Sequence, residues 1–424
     1  MADLAVHPAP AVDPPPGSGS WRPVPTPGRW VARIRGWAPW QQVLAAYVGS
    51  RLLAGVVIEA AARVLQNPAG VGDLHPDYLD MVVIWDGQWY RQIVERGYPS
   101  GLPLTDLGQV DYNSWAFFPL FPGLVKAAMA TGLPFSVAAS FVNISLGGAA
   151  AVVLWQLFTA GPPPVRRRLA VLAVAIWCLL PPAAVLQVAY TEALAALLLA
   201  AALLLLVRRR YALAVPVVLL LGLTRAIAAP LLVVIVWHAA ARWRSGEPIP
   251  RREGRALATL IAATAVSALL WPIVVGIATG VPTAFLQTQA VWGQEPGKGP
   301  FVPWFSWAWD HAGLVGVLLL IAVVAALMAV STGPHAAWLS VELRVWAVVY
   351  PLYLLAVVRP ITSMWRFMLL DLPLAAVLAS WAVRGRPTSR RRWRVVGTLV
   401  AAALAMGWWV GVLLTRIPWN GSPP

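Results

Sequence analysis

The sequence predicts an all-α protein, a polytopic bundle of transmembrane helices, on three observations. Of 424 residues, 59% are hydrophobic and 12% charged, with a mean hydropathy of +0.69. A soluble chain of this length needs more polar surface. Apolar runs of about 17–25 residues recur, long enough to cross a hydrocarbon core of ~30 Å. Finally, the formal net charge is +15, from Lys+Arg 32 against Asp+Glu 17. In a soluble domain that excess would suggest nucleic acid. Here the bases cluster between apolar runs, as in cytoplasmic loops, and no nucleic-acid partner is expected. The single Cys178 excludes an intramolecular disulfide. The five histidines are scattered without ligand spacing, so no cofactor or metal is expected.

Taken in order, residues 1–40 are rich in Pro, Gly and Ala and carry Arg22, Arg29, Arg33 and Arg35. They lack a signal-peptide pattern and read as a disordered, basic cytoplasmic tail; the membrane domain is placed at 41–416. The first span is expected over 42–65. Arg51 and Arg63 are placed to snorkel from it, and Glu59 to face other helices. Residues 67–115 hold seven acids and only two bases, Arg91 and Arg96, and begin a long outer loop, 67–135. Within it Val82, Trp85, Trp89 and Ile93 recur at helical spacing, with Asp86 and Tyr90 together on a neighbouring face. This predicts an amphipathic helix lying in the interface.

Whether 115–131 crosses is decided by charge parity. A crossing there would put Arg166-Arg167-Arg168 outside, against the positive-inside rule. The segment is also short and holds Pro119, Pro122 and Lys126. It is therefore read as a second interfacial or re-entrant helix. Spans follow over 136–160, 169–189 and 192–207, the last returning to Arg208–Arg210. The 31 residues 211–241 lie between basic flanks, which demands an even number of crossings, so the run is split at Leu223-Thr224-Arg225-Ala226. Further spans are expected over 256–278, 312–331, 343–358, 367–383 and 395–415, about eleven in all. A second outer loop, 279–311, carries Trp292, Trp304, Trp307 and Trp309, read as an interfacial aromatic belt. Residues 417–424 are expected to form a short outer tail.

This topology gathers Asp86, Tyr90, Glu192, Thr224, Arg225, Ser363 and Arg366 on the outer side. Charges at such depth cost ~2.5–3.5 kcal/mol each on insertion scales, so several on one face imply a polar cavity. A carboxylate can take the proton of an attacking hydroxyl. Arginines can hold the phosphate of a leaving group. That pairing suits glycosyl transfer from a lipid-phosphate sugar. No P-loop, Rossmann glycine pattern or DxD pair is present, which disfavours a nucleotide-sugar donor.

Trp85-Asp86-Gly87-Gln88-Trp89-Tyr90, followed by Gly97-Tyr98-Pro99, resembles the first-loop signature of the PIG-V-type mannosyltransferases. These are GPI mannosyltransferase II-like membrane enzymes of the GT-C class, whose eukaryotic members add the second mannose of the GPI anchor. In the same order follow Phe117-Phe118-Pro119-Leu120-Phe121-Pro122, Tyr190-Thr191-Glu192, Thr224-Arg225 and Ser363-Met364-Trp365-Arg366-Phe367. The resemblance implies a GT-C bundle, a polyprenyl-phosphate mannose donor, a lipid-linked or glycan acceptor and an inverting reaction. It places Asp86 at the catalytic acid position of the first loop. Trp85, Tyr90, Glu192, Thr224, Arg225 and Arg366 are the candidate substrate-binding residues. An Ala/Arg/Trp-rich composition points to a bacterial plasma membrane, with the site facing outward. A transporter or flippase of lipid-linked solutes is the competing reading, although no internal repeat of the transporter kind is evident.

Overall fold

The computed structural model describes residues 36–67, 74–164, 166–294, 298–386 and 388–416. The expected tail up to residue 35, and residues 417–424, lie outside these. From Pro39 onward the chain forms one unit, and among the described residues it is helical with one isolated β-bridge, Leu104 to Val110. The all-α membrane architecture expected from the sequence is the one observed. The helices are α1 (Pro39–Val64), α2 (Tyr78–Val83), α3 (Asp86–Arg96), α4 (Leu120–Met129), α5 (Phe135–Thr159), α6 (Arg167–Trp177), α7 (Glu192–Val207) and α8 (Tyr211–Gly222). They continue as α9 (Ala228–Arg244), α10 (Arg251–Thr279), α11 (Ala284–Val291), α12 (Val302–Thr332), α13 (Val341–Val357), α14 (Met364–Phe367), α15 (Leu372–Ala382) and α16 (Ser389–Trp409).

Each of the eleven predicted spans is occupied by helix, but they are not of one kind. Among the described residues, five helices are long and apolar enough to cross: α1, α5, α10, α12 and α16, the last extended by a π-turn to Leu414. Two more candidates are bent pairs. In one, α6 meets the 3-10 turn Pro181–Gln187 at 81°; in the other, Met364–Leu370 meets α15 at 78°. The remaining four are helices of 16, 12, 17 and 17 residues: α7, α8, α9 and α13. At about 1.5 Å per residue, α8 reaches roughly 18 Å, well short of the hydrocarbon core. Broken backbone at membrane depth is tolerated where protein satisfies its polar groups; at the second bend the Trp177 and Trp346 indoles donate to the Leu369 and Leu370 carbonyls. The 211–241 run divides at 223–227, as charge parity requires. The 115–131 segment holds only a 3-10 turn and the 10-residue α4.

Two expectations fail. Arg51 does not snorkel: it is buried and donates to the carbonyls of Cys178 (2.8 Å) and Ala183. Those carbonyls belong to the break after α6, so a guanidinium replaces the helical N–H groups the break removes. Nor is there one amphipathic helix through Val82 and Ile93. The chain turns at Ile84-Trp85, leaving α2 and α3 as separate short helices. Asp77 caps α2 in a reciprocal box with Asp80. Glu59 of α1 accepts from the Tyr78 N–H at 2.7 Å, facing protein as expected.

Small residues set the close approaches in the bundle. A Cβ on Gly147 of α5 would lie 2.3 Å from the Tyr47 hydroxyl of α1, and one on Gly222 of α8 2.4 Å from the Ser267 carbonyl of α10. The basic connections share one end of the bundle. Arg208 reaches Gln156 (3.3 Å), Arg209 pairs with Glu247 (2.8 Å), and Arg242 pairs with Glu253. The segments carrying the predicted site meet at the opposite end.

Candidate active site

Asp86 is the first residue of α3, where a carboxylate is favoured by the helix dipole. The residue before it is strained. Trp85 has φ 58°, a conformation that costs a side chain as bulky as this roughly 1–3 kcal/mol and is held only when the surroundings over-determine it. Here they do: the indole N–H donates to the Leu414 carbonyl at 2.8 Å, and the Arg416 guanidinium lies 4.3 Å from the ring centre. Gly87 follows because the turn has no room. A Cβ there would meet the Val82 carbonyl at 2.9 Å and Ala189 Cβ at 3.3 Å. The same Val82 carbonyl accepts from the Ala189 N–H at 2.8 Å, which ties the α2–α3 turn to Tyr190-Thr191-Glu192. Asn143 of α5, fully buried, donates to the carbonyls of Val188 and Tyr190 and fixes that stretch from behind.

The break between α8 and α9 supplies Thr224 and Arg225. Leu120 at the start of α4 donates its N–H to the Leu223 carbonyl (3.0 Å), so the Phe117–Pro122 segment docks on that break. The Thr224 hydroxyl donates to the Leu220 carbonyl (2.9 Å). Arg225 donates to Glu192 Oε1 at 2.7 Å and to the Thr191 hydroxyl at 3.2 Å. Arg366 of α14 donates to Asp86 Oδ2, and its Nε lies 3.4 Å from Glu192 Oε1. Four charges thus form one chain, Asp86–Arg366–Glu192–Arg225. Aromatic faces sit against both cations. The Arg366 guanidinium is 4.6 Å from the Tyr190 ring centre, and the Arg225 guanidinium 4.5 Å from that of Phe367.

These groups border a cavity of about 540 Å³. Its polar wall is Asp86, Tyr90, Thr191, Thr224, Arg225, Ser363 and Arg366. Phe117, Phe118, Trp292, Tyr350, Tyr353 and Phe367 contribute aromatic surface, and Gln289 and Gln294 add amides. The apolar part includes Phe285 and Leu286 of α11, Pro300 and Pro303, Ile227, and Leu354, Val357, Val358 and Ile361. A short lipid segment fits such a lining, with its head group at the charged wall. Tyr98 anchors this arrangement from the first loop. Gly97 ends α3 with φ 79°, and the Tyr98 hydroxyl then donates to the Phe117 carbonyl at 2.9 Å.

Of the residues singled out in the sequence, Asp86, Tyr90, Thr224, Arg225 and Arg366 line the cavity together with Ser363. Trp85 and Glu192 do not. Trp85 is turned toward the C-terminal segment, and Glu192 is wholly buried behind the two arginines. Tyr90 is also buried, and burial followed by the nearby Asp86 and Glu192 carboxylates pushes its hydroxyl well above the ordinary tyrosine range. It therefore stays protonated and is unsuited to act as a base. Tyr350 and Tyr353 escape a sequence reading. Their hydroxyls donate to the Phe367 carbonyl (2.9 Å) and the Ala226 carbonyl (2.6 Å). Two tyrosines three apart in the apolar run 343–358 were the available signal, but a hydroxyl-tipped ring there is equally at home in packing.

No family model matches the chain, and no curated protein does. Among solved structures it is similar to the oligosaccharyltransferase of Archaeoglobus fulgidus, crystallised with a disulfide-tethered acceptor peptide containing the NVT sequon. Identity is 12% and the TM-score 0.44, over 89% of this chain and 56% of that one. The chain thus spans little more than half the length of this neighbour.

Proposed function

We propose that the protein is an integral membrane glycosyltransferase of the GT-C class. It moves mannose from a polyprenyl-phosphate donor to a lipid-linked or glycan acceptor, at the outer face of a bacterial plasma membrane. The observation that carries this reading is a carboxylate and two guanidiniums on one wall of a cavity whose remaining surface is largely apolar and aromatic. The ordered motifs, from Trp85-Asp86-Gly87 to Arg366-Phe367, support the PIG-V-type assignment and with it mannose. The basic connections gathered at the far end support the outward orientation.

Asp86 acts as general base. An acceptor hydroxyl loses its proton to the Asp86 carboxylate as its oxygen bonds to the anomeric carbon. The bond from that carbon to the phosphate oxygen breaks, and its electron pair leaves with the polyprenyl phosphate, which gains one negative charge. Arg225 and Arg366 face that charge, and guanidinium forks match phosphate oxygens. Attack opposite the leaving group inverts the anomeric centre.

The test is direct. Purified protein in liposomes is given radiolabelled polyprenyl-phosphate mannose together with lipid extract from the native membrane. The expected product is a labelled lipid or glycan one hexose heavier than its precursor, and the corresponding precursor accumulates in a strain lacking the protein. Labelled donor that crosses the bilayer chemically unchanged would instead make this a flippase and end the transferase reading.

A further inference from the structure

Glu192 stands apart from the other charged residues of the cluster. Its side chain is fully buried, it is absent from the cavity wall, and so it touches no substrate there. Yet a single oxygen, Oε1, faces both cations, 2.7 Å from Arg225 Nη1 and 3.4 Å from Arg366 Nε. Its other oxygen, Oε2, has no hydrogen-bond partner among the described residues. An isolated carboxylate in such a place is strongly disfavoured and persists only beside compensating charge. Arg225 and Arg366 come from distant parts of the chain, one from the α8–α9 break and one from α14, and both border the Phe367 ring. Without a shared counter-ion, two like charges gathered about one ring would repel each other.

We infer that Glu192 is a positioning residue, the buried counter-ion that holds Arg225 and Arg366 side by side as a two-guanidinium cradle for the phosphate of a lipid phosphate. This rests on the site reading above for the nature of the anion, and it adds a division of labour. Asp86, at the cavity surface, is the carboxylate that meets the acceptor. Glu192, behind the arginines, sets the geometry of anion binding and touches nothing that reacts. The first turn of α7 suits the role, because the helix dipole stabilises the carboxylate without placing a further group in the cavity.

The experiment separates this inference from catalysis by measuring binding. Detergent-solubilised wild type, Glu192→Gln and Glu192→Asp are titrated with a polyprenyl phosphate and with the uncharged polyprenol of the same length. Wild type should prefer the phosphate, and Glu192→Gln should lose that preference by about tenfold or more, the scale of one charge-assisted contact. Glu192→Asp should regain part of it. In the transfer assay the Gln variant should show its loss chiefly in the KM for donor. Thermal unfolding of each variant is followed in parallel. If Glu192 served only to stabilise α7, Glu192→Gln would melt earlier yet keep the wild-type preference, and the inference would fall. It would fall equally if wild type bound phosphate and alcohol alike. A wild type that selects the phosphate through Glu192 but transfers no sugar would leave the inference standing and defeat the enzymatic reading alone.

Discussion

The bundle carries a buried ionic network at each end, and they are built differently. At the basic end, the His238 ring joins the Tyr211 hydroxyl (2.8 Å) to Glu342 Oε1 (2.7 Å), and Arg242 donates to the same Tyr211 hydroxyl at 2.9 Å and to Glu253. These groups face one another and tie the ends of α8, α9, α10 and α13 together. At the other end, Arg366 pairs with Asp86, Glu192 stands between Arg366 and Arg225, and Asp86, Arg225 and Arg366 also border a cavity. Polar groups that close on each other serve the fold. Charges held at a cavity wall keep interaction capacity for a ligand.

The comparison breaks most sharply at Asp86. Asp86→Asn keeps the shape and the Arg366 contact but cannot accept a proton, so transfer should fall by ~10²–10⁴-fold with the melting temperature preserved. Wild-type turnover from this variant, measured with labelled donor, would remove Asp86 from the mechanism. The mirror experiment is His238→Ala. It leaves Tyr211 and Glu342 without a shared partner, which should cost about 2–3 kcal/mol of stability, read as earlier thermal unfolding in detergent. Turnover per folded molecule should not change. A collapse of turnover in still-folded His238→Ala would show the two ends to be coupled and the contrast false.

Smaller effects sharpen the boundary of the site. Gly87→Ala pushes a methyl against the Val82 carbonyl and Ala189. That should destabilise by about 1–3 kcal/mol and displace Asp86 enough to lower kcat, with little change in donor affinity. An unchanged kcat would mean the turn does not set the position of the base. Tyr90→Phe should have the least effect, below about tenfold in kcat/KM and without altering the pH profile, because its hydroxyl stays protonated through the accessible range. A shifted profile would give Tyr90 a part in proton transfer.

Much of this was legible in the chain. The break at 223–227 followed from basic flanks around a run too long for one helix and too apolar for a loop. The non-spanning character of 115–131 followed from Pro119, Pro122 and the position of Arg166-Arg167-Arg168. Arg225 and Arg366 stood out as bases at the outer end of apolar runs, and Asp86 through its tryptophan-flanked motif in an acidic loop. Arg51 misled because depth in a span says nothing of what lies beside it. The carbonyls it satisfies, those of Cys178 and Ala183, lie 127 and 132 residues away in sequence. The turn at Ile84-Trp85 was hidden for a similar reason: the apolar spacing of Val82, Trp85, Trp89 and Ile93 is helical, and contacts distant in sequence, of Trp85 with Leu414 and Arg416 and of Val82 with Ala189, hold the backbone out of the helix.

Hydropathy and charge, read along the chain, settled that this is a multi-pass helical membrane protein, with its bases collected at one end. Those quantities act locally: each apolar run answers to the bilayer and each basic cluster to its side, whatever the rest of the chain does. The division between Asp86 on the cavity wall and Glu192 behind it was decided by tertiary structure alone. It depends on how α3, α7, the α8–α9 break and α14 converge, and nothing in the neighbourhood of either acid encodes which one will meet water.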